Sequence, residues 1–111
     1  MAGSDTICAV STPSGQGAIA IIRLSGEKAL DIAVSMFRPA DKGSREQEYG
    51  ANTMHYGLIR EAGEVIDEVV MGVFRAPHSY TGEDVVEFSC HGSVYIQQRV
   101  LQMCISNGAR L

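Results

Sequence analysis

The chain lacks a basic surplus, a long apolar run and a cysteine pattern, and each absence removes a class of protein. Nine lysines and arginines against thirteen acids leave a formal charge of −4. A domain that grips a nucleic-acid backbone by itself needs a basic patch, because counterion release supplies the affinity. That role is therefore not expected of this segment alone. No apolar stretch approaches the roughly 18–20 residues that cross a bilayer, so no membrane partner is expected. Met1–Ser4 has neither the basic nor the apolar part of a secretory signal and is expected to be a disordered start. Cys8, Cys90 and Cys104 are odd in number and widely spaced, which fits neither a disulfide framework nor a zinc site. A reducing, cytoplasmic setting is expected. No Gly-x4-Gly-Lys-Ser/Thr sequence occurs, so there is no P-loop.

What is present suits one globular domain. The length of 111 residues and a 45% hydrophobic share allow a single core. Residues 5–10 predict a short strand, and residues 12–17 a Gly/Pro turn. Residues 18–24 are apolar on both faces, which predicts a central strand covered on both sides. A helix is expected from Ser25-Gly26 to about Phe37, with Ser25 as its cap and Glu27 at the positive end of its dipole. Residues 38–51 read as a loop. Residues 52–60 and 65–75 read as strands joined by a hairpin turn over 61–64. A strand over 84–91 and a helix over 93–107 follow. The helix's apolar stripe includes Val94, Val100, Leu101, Cys104 and Ile105. Residues 109–111 read as the first residues of a further strand, as in a segment of a longer protein. A hairpin among helices predicts an α+β fold with a mixed or antiparallel sheet and two main helices.

The densest signal lies over residues 76–92. A polar loop from Ala76 to Gly82 leads into a strand whose side chains alternate. Alternation puts Val86, Phe88 and Cys90 on a core face and Glu87, Ser89 and His91 on the other. Loops on a rigid scaffold are where binding chemistry concentrates.

Two residues stand out as candidate ligand contacts. Glu87, flanked by Val85, Val86 and Phe88, is a carboxylate in an interior strand and needs a partner. That partner is either a structural salt bridge or backbone donor, or a ligand with adjacent N–H groups, which a carboxylate accepts as a fork. Arg23 shares a face with Ile19 and Ile21. It either snorkels to water from a strand end or contacts an anion at the sheet. Cys90 and His91 suggest a nucleophile and base, but neighbouring strand residues point to opposite faces. Cys90 therefore reads as a small core residue. A metal site from His78, Glu87 and His91 is open geometrically, but lacks a ligand-spacing motif.

The residues 5–7, the 13–17 turn, Gly17-Ala-Ile-Ala-Ile-Ile-Arg23-Leu-Ser-Gly26, the run from Ala76 to Glu87 and His91-Gly92 resemble the N-terminal domain of the MnmE (TrmE) family of bacterial tRNA-modification GTPases. The resemblance runs from about Asp5 to Leu111, and Tyr80-Thr-Gly-Glu-Asp-Val-Val-Glu87 is its most specific part. It implies a fold similar to the folate-binding domain of the glycine-cleavage T-protein. It implies binding of 5-formyltetrahydrofolate or a related tetrahydrofolate, and dimerisation. Arg23 and Glu87 match family folate-contacting positions, and a family lysine falls after the last residue here. Gln16 stands where the family often has arginine, and Ala18 and Ser93 replace common glycines. Members of the family act with the flavoprotein MnmG on tRNA. They place a carboxymethylaminomethyl or aminomethyl group on C5 of the wobble uridine, with the folate taken to supply the one-carbon unit. GTP, magnesium and potassium belong to a later G domain. Two other readings stand beside this one: a structural module that dimerises or docks a partner, and a hydrolase or transferase using Cys90 and His91.

Overall fold

The computed structural model describes residues 5–12, 17–40, 49–76 and 82–111. The elements run β1 (Ile7–Val10), β2 (Ile19–Ser25), α1 (Ala29–Met36), β3 (Phe37–Pro39), β4 (Thr53–Glu61), β5 (Glu64–Phe74), β6 (Val85–His91) and α2 (Val94–Ser106). The six strands form one sheet in the order β1-β2-β6-β5-β4-β3. Every neighbouring pair is antiparallel. The expected α+β class holds, with an open antiparallel sheet and two helices.

Local chemistry explains most of these elements. Ala62 and Gly63 both take positive φ, 52° and 82°, which makes the two-residue turn that matches strand twist and pairs Glu61 with Glu64. Ser93 caps α2, its Oγ accepting the Ile96 N–H at 3.1 Å. Gly108, at φ 114°, ends α2, and the next N–H bonds back to the Cys104 carbonyl at 3.0 Å. Arg110 then bonds to the backbone of Thr6 and Cys8, both at 2.8 Å, as a single parallel bridge beside β1.

Three expectations need correction. Ser25 does not cap α1. It remains in β2, paired to both Ile7 and Val85. The helix starts at Ala29, and Thr6 Oγ1 accepts the Lys28 N–H at 3.0 Å. Phe37 leaves the helix and begins the three-residue strand β3, which pairs with β4 inside the segment read as loop. Its ring is buried against Tyr49, so packing outweighed the polar composition around it. Finally, β2 is covered on one face only. Ala20, Ile22 and Leu24 are buried, while Ile19 is 64% exposed. Residues 13–16 of the expected 12–17 turn and residues 77–81 of the expected 76–82 loop lie outside the described residues.

The core is a single layer between sheet and helices. Cys8, Ile22, Leu24, Val69, Met71, Val73, Val86 and Phe88 face it from the strands, and Ile32, Met36, Val100 and Cys104 face it from the helices. Both helices pack on this side and touch each other where Cys104 Sγ lies 3.9 Å from Met36 Sδ. The alternate residues of β2, β4, β5 and β6 therefore face away from both helices.

Candidate functional site

The uncovered sheet face is where the polar residues of the strands gather. Strand register aligns Ala9, Arg23, Glu87, Gly72 and Met54 as one row across five strands. The adjacent row is Ile21, Ser89, Val70 and Tyr56. Met54 and Tyr56 are 65% and 55% exposed, so among the described residues nothing covers them on this face.

Arg23 and Glu87 are cross-strand partners in the middle of that face. The Arg23 Nε donates to Glu87 Oε2 at 2.8 Å, and its terminal nitrogen donates to the same oxygen at 2.5 Å. The glutamate side chain is 16% exposed and the arginine 36%. A carboxylate this sheltered requires a charged or hydrogen-bonding partner, and the register supplies one. Both bonds end on Oε2, which leaves Oε1 available to a second donor. Beside Glu87 stands Gly72. A Cβ there would lie 3.2 Å from Met54 Sδ and 3.4 Å from Phe74 Cε2. Met54 and Phe74 thus lean over the gap and give an apolar flank to the ion pair.

The segment from Ala76 to Gly92 divides its labour. Asp84 anchors the loop base: its Oδ1 accepts the Ala76 N–H at 2.9 Å, and its carbonyl accepts the Gly26 N–H at 2.9 Å. Gly92 holds the start of β2 close by, with a Gly92 N–H bond to the Ala18 carbonyl at 3.2 Å. A Cβ on Gly92 would fall 2.1 Å from the Gly17 carbonyl oxygen. Only a glycine lets the two backbones meet there.

Cys90 and His91 diverge as parity requires. Cys90 is buried, with Sγ 3.5 Å from the Ala20 carbonyl. Burial, with the nearby Asp67 charge, pushes its thiol up to about 11. A thiol held neutral is a poor nucleophile, so no Cys90–His91 catalytic pair forms. His91 instead meets Asp67, its Nδ1 being 2.6 Å from Asp67 Oδ1. His78 lies outside the described residues.

Asp67 is the residue that reading the sequence missed. It shares strand parity with Val69, Met71 and Val73, so an acid was due on the core side of β5. That mismatch was the available signal.

Fold and site together define a class: an α+β domain whose sheet carries helices on one face and a paired arginine and glutamate on the open one. The profile of the family described as the N-terminus of GTP-binding protein TrmE matches residues 6–111, and the chain belongs to that family. It is 49% identical over 109 residues to the tRNA modification GTPase MnmE of Levilactobacillus brevis, covering 96% of this chain and 23% of that protein. The proteins of the same description from Parabacteroides distasonis and Geobacillus kaustophilus are 51% identical over 107 residues and 50% over 109, with the same coverage. The chain thus spans about a quarter of the length of these relatives. Among the described residues, no helix is long and apolar enough to cross a membrane.

Proposed function

We propose that this chain is the tetrahydrofolate-binding, dimerising N-terminal domain of a GTPase that works with MnmG on the tRNA wobble uridine. In this reading the bound folate supplies the one-carbon unit of the carboxymethylaminomethyl or aminomethyl group. GTP, magnesium and potassium are handled by parts of the protein beyond these residues. The likeness in fold to the folate-binding domain of the glycine-cleavage T-protein belongs to the same proposal.

The observation that carries the reading is the Arg23–Glu87 pair on an uncovered sheet face. A pterin presents an amino group beside a ring N–H. Glu87 Oε1 can accept one of these, and the second would share Oε2 with Arg23. The guanidinium, a planar fork of donors, suits a carbonyl or carboxylate oxygen of the same ligand. Met54 and Phe74 offer apolar surface for a flat ring.

Calorimetric titration of 5-formyltetrahydrofolate tests this. The titration uses this chain and a longer one carrying the residues that follow Leu111. Binding to either, lost in a folded Glu87→Ala variant, supports the site. Unchanged affinity in that variant would sink the assignment.

A second reading is a structural module that dimerises or docks a partner. Ile19, Met54 and Tyr56 favour it, since they leave apolar area exposed on one face. It predicts concentration-dependent association in sedimentation and no folate binding. A strictly monomeric protein at high concentration would count against it.

A further inference from the structure

The β5–β6 ladder stops early, and a side chain takes over where it stops. Regular pairing runs from Phe74–Val85 to Val70–Ser89 and no further. Beyond it, Asp67 Oδ2 accepts the His91 backbone N–H at 2.8 Å, while Oδ1 meets the ring Nδ1 at 2.6 Å. The Asp67 side chain is 8% exposed and the His91 ring 71%. Both carboxylate oxygens are thus spent on one histidine that itself stands in the open.

This arrangement fixes the ring. A carboxylate only accepts, so Nδ1 carries the hydrogen of the neutral imidazole and Nε2 keeps its lone pair. A buried carboxylate behind a histidine also stabilises the imidazolium once Nε2 takes a proton. The ring borders a shallow hollow of about 220 Å³ on the open face, floored by Ile19 and Val70 and edged by Tyr56, Glu68 and Ser89. The Tyr56 hydroxyl donates to Glu68 at 2.8 Å. Among the described residues, no lysine or arginine lines the hollow. Acceptors without a cation repel anions and favour a group rich in hydrogens.

The geometry points to the Asp67–His91 dyad as a proton-accepting site for an N–H-bearing ligand, an amine or ring nitrogen, seated in this hollow. In the step, an N–H bond of a protonated amine or of an acidic ring nitrogen breaks and an Nε2–H bond forms. The electron pair stays on the ligand nitrogen, and Asp67 offsets the imidazolium charge. Among the described residues, the other titratable groups around the ring are Glu68, Tyr56 and the Cys90 thiol. Glu87, four residues back on the same strand face, lies roughly 13 Å away at strand rise, so the two sites share the face without overlapping.

Assigning a reaction to the dyad rests on the proposed tRNA modification, and the test separates the two. Asp67→Asn keeps an acceptor for the His91 backbone N–H but offers an amide N–H to Nδ1, which moves the ring hydrogen to Nε2. His91→Gln removes the base and leaves Asp67's hold on the backbone, so it guards against a misfolded first variant. Long-range 1H–15N NMR of this chain should show hydrogen on Nδ1 in the unaltered protein and on Nε2 in Asp67→Asn. In the full-length protein with MnmG, tRNA and 5-formyltetrahydrofolate, both variants should slow uridine modification by about 10²-fold or more. A ring hydrogen on Nε2 in the unaltered protein overturns the dyad. So does a folded variant that modifies tRNA at the unaltered rate. Loss of modification in a protein that binds no folate would keep the dyad and remove the folate reading. Folate binding with undiminished variants would do the reverse.

Discussion

Arg23 and Glu87 sit opposite each other on β2 and β6, and two guanidinium nitrogens converge on a single glutamate oxygen. The pair is half-sheltered, so it contributes to stability without being a fully buried charge. In a double-mutant cycle with Arg23→Gln and Glu87→Gln, urea denaturation should give a coupling of about 0.5–1 kcal/mol. Each single variant should stay folded. Coupling near zero would mean that the pair is held for a ligand and adds nothing to the fold.

Gly92 is a steric requirement. Gly92→Ala drives a Cβ into the Gly17 carbonyl, whose oxygen and carbon would lie at 2.1 and 2.7 Å. Backbone on both sides must shift, at a cost of about 1–3 kcal/mol in a thermal or urea melt. The hydrogen bonds between residues 17–18 and Gly92 should lose amide-exchange protection first. A variant as stable as the parent would show that the start of β2 moves aside freely.

The buried thiols make the fold sensitive to alkali. Burial, with the Cys8 thiol nearby, pushes Cys104 up to about 12, and burial first, then Asp67, pushes Cys90 up to about 11, both from 9.0. Above pH 9 the unfolded chain gives up thiol protons that the folded chain keeps. Stability is therefore full below that pH and falls as pH rises through 9 towards 11 and 12. Melts from about pH 7.5 to about pH 10 should show the midpoint dropping only in the upper part. Cys104→Ala should flatten the drop. Thiol reagents at about pH 8 should label the native protein slowly and the urea-unfolded protein fast. Rapid native labelling of Cys90 would contradict its burial.

Much of the site was legible because strands have a period of two. Alternation alone separated Glu87, Ser89 and His91 from Val86, Phe88 and Cys90, and the structure keeps that division. The same parity ruled against a Cys90–His91 pair. The β4–β5 hairpin was equally legible, since Ala62-Gly63 is a local turn between two alternating runs. The extent of α1 was not. Ser25 and Phe37 have plausible helical roles by sequence, but one is claimed by pairing to β1 and β6 and the other by packing against Tyr49. Those partners lie far along the chain, and local preference carries no trace of them.

Sequence by itself therefore determined the class of fold, the two faces of β6, the family, and Arg23 and Glu87 as the residues to watch. Tertiary structure alone decided that β2 lies next to β6, and hence that Arg23 and Glu87 are each other's neighbours. It also decided that both helices pack on one face of the sheet, and that Asp67 closes the end of a ladder behind His91. The reason is physical. Alternation and turn chemistry are properties of a few consecutive residues. Strand order, and the exposure that follows from it, depend on which distant segments bury their apolar faces together.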